Sequence, residues 1–166
     1  MDTGYSRAQI ILHWIIVLLV ALQFFTADSM VMLWHAISGA RTEVIPYNDQ
    51  LGEAWHMSSG LTILFLSLML VMLRRRHGTP ALRDMPPALA KLALWTHRGL
   101  YGVVIALPVV GTGAAAGVVV AAWIHVVLTR VLLVLIGLHV LGALWHLLVR
   151  RDGVMRSMVV PRDEGR

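Results

Sequence analysis

The sequence predicts an all-α integral membrane protein, a four-helix bundle with its N and C termini in the cytoplasm. Of its 166 residues, 58% are hydrophobic and only 14% are charged, whereas a soluble domain is typically about 45–50% apolar and about 25% charged. Four segments are each apolar over roughly the 20 residues that a helix needs to cross the hydrocarbon core. This composition excludes a disordered chain, and the scarcity of polar faces in the middle segments disfavours a soluble four-helix bundle.

The four predicted spans form one domain that covers residues 1–166. The first helix can begin near Ser6, and no small-residue cleavage site follows this span, so we expect it to be retained and not removed as a signal peptide. The third and fourth spans are separated where Gly111-Thr-Gly113 gives a turn signal soon after Pro108. The spans comprise, in order, about residues 8–26, 56–74, 92–111 and 121–149.

The charges between the spans set the predicted orientation. The second connection and the C-terminal tail are rich in arginine, with Arg74–Arg76 in one and Arg150 and Arg151 in the other, whereas the first connection holds four acidic residues and one arginine. By the positive-inside rule, the arginine-rich parts face the cytoplasm, as in a multi-pass protein of the cell inner membrane. The formal net charge of +5 is therefore explained by the membrane and its lipid, and no nucleic-acid partner is expected.

Histidines are the residues that carry chemistry in this sequence. The chain has no cysteine, which removes thiolate metal sites and cysteine-ligated iron–sulfur clusters. Ionisable side chains inside a membrane are costly and usually face the bundle interior. His35 and His77 are expected in loops. The other six histidines fall in the predicted spans or at their ends, and they are His13, His56, His97, His125, His139 and His146.

The fourth span carries three of these histidines on one face. His125, His139 and His146 are spaced by 14 and 7 residues, which are close to four and two full turns of an α-helix. Neutral imidazole suits iron, copper and zinc, but a catalytic zinc site is poorly supported without a carboxylate inside any span. Histidines on different helices of an apolar bundle can bind a flat macrocycle between them, so the sequence predicts a bis-imidazole haem. The rise of about 21 Å from His125 to His139 suits two such cofactors stacked across the bilayer.

Five motifs occur in order along nearly the whole chain. They are Tyr5–Trp14, Trp55–Gly60 with the run that ends in Arg74–Pro80, His97 with Ala106–Gly111, Leu138–His146, and Arg151–Met158. In this order the motifs resemble those of the prokaryotic cytochrome b561 family, whose members are four-helix, di-haem membrane proteins. The resemblance implies two b haems and electron transfer between ubiquinone or another quinone and a donor or acceptor on the outer face.

Carried over onto this sequence, the resemblance implies four axial ligands of haem iron. His13 and His139 would hold the haem nearer the cytoplasm, and His56 and His125 would hold the haem near the outer face. Because each iron would then have two imidazole ligands, no open position is left for oxygen activation. Electron transfer along this route needs only that the haems accept and release electrons in turn.

Three other residues leave alternatives open. His97 and His146 could hold the inner haem instead, or could serve a quinone headgroup or a haem propionate. Arg130 lies off the histidine stripe, so it could extend outward to the membrane surface, pair with a propionate or meet an acidic partner chain. Val126-Val127 follows His125 where many relatives have a glutamate, which is a departure from the family pattern at the outer site.

Several functions agree with this resemblance. In each of them the protein is an oxidoreductase or an electron-transfer component of one. A superoxide:ubiquinone oxidoreductase is one candidate, but the acidic first connection disfavours capture of an anion. A cytochrome b subunit of a dehydrogenase, or a quinone-linked carrier served by a soluble or membrane redox partner, fits at least as well. From a different class, the histidines could bind metal or relay protons in a membrane transporter or anchor.

Overall fold

The computed structural model describes residues 4–39, 46–78 and 85–161, and over these residues the chain is helical without any β-strand. Four of its helices are long and apolar enough to cross a membrane, so the predicted all-α, four-span class is confirmed. A short helix follows the first span, and a π-helical turn and a further short helix follow the fourth. The elements are α1 (Arg7–Phe25), α2 (Ala27–Ile37), α3 (Tyr47–His77), α4 (Pro87–Ala115), α5 (Val119–Trp145), the π-helical turn (His146–Arg150) and α6 (Val154–Ser157).

Helix α1 begins with a capping box at Ser6, the start that the sequence predicts. The Ser6 hydroxyl accepts a hydrogen bond from the Gln9 backbone amide at 3.3 Å, and the Gln9 side-chain oxygen accepts one from the Ser6 amide at 2.9 Å. These two bonds satisfy amides that the first turn of a helix otherwise leaves without partners. The Gln9 amide nitrogen also donates to the Gly78 carbonyl at 3.3 Å, which joins the start of α1 to the end of α3.

The segment after α1 is not a loop, because it forms the 11-residue helix α2, which carries His35. Helix α2 packs on α3, whose first residue, Tyr47, lies nine positions before His56. The close approach depends on Gly52, where an added Cβ atom would clash with the side chain of Ser29. Hydropathy could not show this packing, since the first turns of α3 are polar and lie outside the apolar segment.

The turn between the last two spans lies later than the sequence predicts. Helix α4 continues through Pro108 and Gly111-Thr-Gly113, and the chain turns at residues 116–118, where Gly117 has φ +83°. A proline removes one backbone hydrogen bond from a helix, and membrane helices tolerate this loss where neighbouring groups compensate. The glycines serve packing instead of turning: a Cβ atom added at Gly113 would lie 3.1 Å from the Cβ atom of Ala121 on α5.

The long helices pack in a simple order, with α1 against α3, α3 against α4, and α4 against α5 over the largest interface. Large apolar side chains such as Leu18, Phe25 and Phe65 are exposed, as expected for surfaces that face lipid. The α3 positions that face the bundle interior are small or aliphatic: Ser59, Ile63, Ser67 and Leu70. The arginine-rich ends of α3 and of the fourth span lie at one end of the bundle, which we call the basic end; α2 lies at the other, which we call the α2 end.

Candidate functional site

Two pairs of histidines face each other between helices inside the bundle. His13 of α1 and His139 of α5 have their ring centres 6.2 Å apart, with 63° between the ring planes. His56 of α3 and His125 of α5 have their ring centres 6.4 Å apart, with 54° between the planes. Helix α5 therefore supplies one member of each pair, and the rise between its two histidines is about 21 Å.

The spacing within each pair fits two imidazoles on opposite sides of one metal ion. A bond from metal to imidazole nitrogen is about 2 Å long and the nitrogen lies about 1 Å from its ring centre, so two such rings have centres roughly 6 Å apart. Both observed distances, 6.2 and 6.4 Å, agree with this value. Among the residues that the structure describes, no group of three His, Asp or Glu side chains is arranged to hold a metal ion. Two-histidine sites suit an iron that takes its other four ligands from a macrocycle.

A threonine at the end of α1 orients the ring of His56. The Thr26 hydroxyl lies 3.0 Å from Nδ1 of His56 and donates its hydrogen to the Leu22 carbonyl, also at 3.0 Å. With that hydrogen so placed, the hydroxyl accepts from Nδ1–H, and Nε2 keeps its lone pair for a metal. Gln23 strengthens the same junction, since its side-chain nitrogen donates to the His56 carbonyl at 2.9 Å and to the Ser59 hydroxyl at 2.7 Å.

The ring of His125 is oriented by the backbone of the neighbouring helix. Its Nδ1 atom lies 3.1 Å from the Leu107 carbonyl of α4, and because a carbonyl only accepts, Nδ1 carries the hydrogen and Nε2 is free. Gly111 makes this contact possible: a Cβ atom at that position would lie 3.2 Å from both Cε1 and Nδ1 of the ring. Sequence reasoning missed Thr26, Leu107 and Gly111 as supports of the histidines, although each lies near a predicted span end.

His97 lies deeper in the bundle than predicted. The structure begins α4 at Pro87 and not near residue 92, so His97 is about 15 Å into the helix. Its ring centre is 5.0 Å from that of His139, with the two planes 87° apart, and its Nδ1 atom lies 2.6 Å from the Ala93 carbonyl. This separation is shorter than that of two imidazoles across one metal, and it places His97 beside the pair formed by His13 and His139.

His146 is held by a carboxylate and not by a second imidazole. His146 is the first residue of the π-helical turn after α5. Its Nδ1 atom lies 2.7 Å from Oδ2 of Asp152, which also accepts from Nε of Arg150 at 3.1 Å. Burial raises the pKa of Asp152, but hydrogen bonds from His146 and the Val154 amide, with the nearby positive charges, outweigh it and hold that pKa below its ordinary value. The positive φ of Arg151, 52°, turns the chain back so that Asp152 reaches the histidine.

The remaining candidates lie away from both pairs. His35 and His77 are exposed residues of α2 and of the last turn of α3, so the prediction that they lie in loops is wrong. Nδ1 of His77 lies 3.2 Å from the carbonyl of Leu73 in its own helix. Arg130 is exposed on α5.

Comparison with known proteins agrees with this arrangement. Residues 4–161 match the family model described as prokaryotic cytochrome b561. The protein named cytochrome b562 of Cereibacter sphaeroides is 30% identical over 162 residues, which cover 97% of this chain and 98% of the relative. The Yersinia pestis protein named "Probable superoxide oxidase CybB" is 27% identical over 195 residues, which cover 99% of this chain and all of the relative. The chain therefore belongs to the prokaryotic cytochrome b561 family of multi-pass membrane haem proteins.

Proposed function

We propose that this chain is a di-haem membrane cytochrome b that transfers electrons between a quinone pool and a donor or acceptor on the opposite side of the membrane. The observation that carries the proposal is the pair of interhelical histidine contacts, with ring centres 6.2 and 6.4 Å apart. Family membership supports haem b as the cofactor. The length of α5 between its two histidines, about 21 Å, separates the two proposed sites across the bilayer.

Four histidines would hold the two haems. His13 and His139 would bind one iron and His56 and His125 the other, the latter two through Nε2. When bound, a haem iron accepts and releases one electron at a potential that its axial ligands and surroundings set. The chain's own contribution is to fix these imidazoles through partners such as Thr26 and to keep water away from them with apolar helices.

We place the quinone at the basic end, next to His146. Reduction of a quinone to a quinol requires protons as well as electrons, and histidine is the side chain best suited to exchange protons near neutral pH. Asp152 holds Nδ1 of His146 and leaves Nε2 free to face a quinone carbonyl. His97, beside His139, stays a second candidate for a quinone or propionate contact.

We propose that the protein lies in the cell inner membrane. The basic end then faces the cytoplasm, in accordance with the positive-inside rule. The α2 end then faces outward and carries, among the described residues, the exposed Asp28 and the half-buried Asp49 and Glu53. Acidic residues repel an anion such as superoxide and attract a positively charged redox partner. We therefore favour a cationic soluble redox protein, or the electron-transfer subunit of a dehydrogenase, over superoxide as the donor or acceptor at that face.

Haem quantification tests the proposal. Pyridine haemochrome analysis of the purified protein, with a dithionite-reduced minus oxidised spectrum, is expected to give two b haems per chain. His139→Ala and His125→Ala are each expected to leave one haem, and the control His77→Ala, at an exposed histidine, is expected to leave two. A protein without haem would refute the electron-transfer function, and retention of both haems in His139→Ala would refute the assigned ligands.

A further inference from the structure

One arginine points into the bundle at the basic end. The interior face of α3 runs through buried residues at intervals of four, four and three positions, and Arg74 comes four positions after the last of them. Arg74 is accordingly half-buried, whereas its neighbours Arg75 and Arg76 are exposed. The other members of the face are Ser59, Ile63, Ser67 and Leu70.

The Arg74 guanidinium lies beside the proposed site of His13 and His139. Its Nη1 atom donates to the Tyr101 hydroxyl at 2.6 Å, and its central carbon is 5.2 Å from the centre of the Tyr101 ring. Tyr101 comes one helical turn after His97 on α4, and the ring centre of His97 is 5.0 Å from that of His139.

Arg74 has no negative partner within the described part of the chain. The ion pairs found there join Asp152 to His146 and Arg150, and no carboxylate lies within 4.0 Å of Arg74. A half-buried cation inside a membrane protein is costly unless an anion compensates it, and such residues commonly mark a binding site. A guanidinium has five donors in a planar fork that matches a carboxylate, and Tyr101 takes only one of them.

We propose that Arg74, supported by Tyr101, binds a propionate of the haem held by His13 and His139. The inference rests on the proposed function, since haem b supplies the carboxylate. Because the Tyr101 hydroxyl accepts from Arg74, its own hydrogen is free to donate to the same carboxylate. The positive charge favours the reduced iron, so Arg74 raises the midpoint potential of this haem and helps to retain it.

Redox titration of purified variants tests this assignment. Arg74→Gln is compared with Arg75→Gln, the same change at an exposed neighbour, and His125→Ala and His139→Ala serve to identify which spectrum belongs to which haem. Loss of one unit charge at roughly 10 Å and an effective dielectric constant near 20 shifts a one-electron equilibrium about 17-fold, or ~70 mV. Arg74→Gln is expected to lower the potential of the His13/His139 haem by about this amount, or to lose that haem alone, while Arg75→Gln keeps both haems and both potentials.

The outcomes separate this inference from the proposed function. If the unmodified chain binds no haem, the function itself is refuted. If it binds two and Arg74→Gln matches Arg75→Gln in haem content and potentials, the propionate contact is refuted. If Arg74→Gln loses both haems, Arg74→Lys decides, because it keeps the charge without the planar fork: retention of both haems supports the contact, and loss of both shows a structural role that overturns it.

Discussion

Replacing Gly111 with alanine should weaken one haem site and leave the other intact. The added Cβ atom would lie 3.2 Å from Cε1 and Nδ1 of His125, closer than side chains ordinarily approach. The ring is not free to rotate away from the added atom. Its Nδ1 atom is hydrogen-bonded to the Leu107 carbonyl at 3.1 Å, and its Nε2 atom would bind the proposed iron. Either the hydrogen bond or the iron bond must therefore be strained.

The magnitude follows from the cost of overpacking a well-fitted contact. An extra methyl group in a packed interior typically costs about 1–3 kcal/mol, which includes any loss of the hydrogen bond to the Leu107 carbonyl. If this cost falls on the haem-bound state, the affinity for the haem of His56 and His125 falls roughly 5- to 150-fold. The haem of His13 and His139 lies about 21 Å further along α5 and should keep its affinity.

Haem content after dilution in the presence of a haem-scavenging apoprotein would measure the effect. The matched control is Gly99→Ala on the same helix, whose added Cβ atom would lie 3.1 Å from Cδ1 of Leu135, the flexible end of a side chain. Gly111→Ala should release one haem faster than both the parent and this control. Equal release of haem from the two variants would show that the Gly111 contact does not constrain His125, and the reasoning would be wrong.

Three other substitutions probe the supports of the site and of the bundle. Thr26→Val removes the hydroxyl that orients His56, so the affinity for that haem should fall about 10- to 100-fold when haem release is measured. Gln9→Leu removes the side-chain half of the capping box and the hydrogen bond to the Gly78 carbonyl at the end of α3, and should lower the free energy of unfolding by about 1–3 kcal/mol in a denaturant titration. The carboxyl of Asp152 has a depressed pKa, so its stabilisation is present above the ordinary value near 3.8 and is lost as the pH falls through the folded pKa. Hydrogen exchange of residues 151–160 should accelerate over that acid range in the parent but not in Asp152→Asn.

Each of these expectations has its own control. Thr112→Val removes an exposed hydroxyl that bonds only the Val109 carbonyl in its own helix, so it should leave haem release unchanged. Ser6→Thr keeps a hydroxyl at the cap and should retain most of the stability that Gln9→Leu loses. For the acid transition, Asp28→Asn alters a carboxylate on α2 at the opposite end. If it removed the pH dependence of exchange in residues 151–160, the role given to Asp152 would be incorrect.

The sequence was most informative where a single physical property decides the structure. Long apolar runs and the absence of cysteine were enough to predict four membrane helices with histidine chemistry, and the motif order was enough to predict the family. It was least informative where two helices meet. In the sequence, Gly111 and Gly113 are typical of a turn. In the structure they lie within α4, where the lack of side chains lets α4 approach α5 closely. Helix α2 was missed for the same reason, since its packing on Gly52 depends on a contact that no local pattern records.

The histidine stripe on α5 shows how far periodicity extends and where it stops. Spacing alone places His125, His139 and His146 on one face, and all three indeed have partners in the structure. Their partners differ because a different part of the chain lies opposite each level of α5: α3 at the first, α1 at the second and the tail beyond Arg151 at the third. Periodicity identifies residues that face the interior. The positions along the bundle at which the neighbouring helices begin determine which side chains lie opposite those residues. The depth of His97 follows the same rule, because the start of α4 at Pro87 sets the level at which its ring reaches His139.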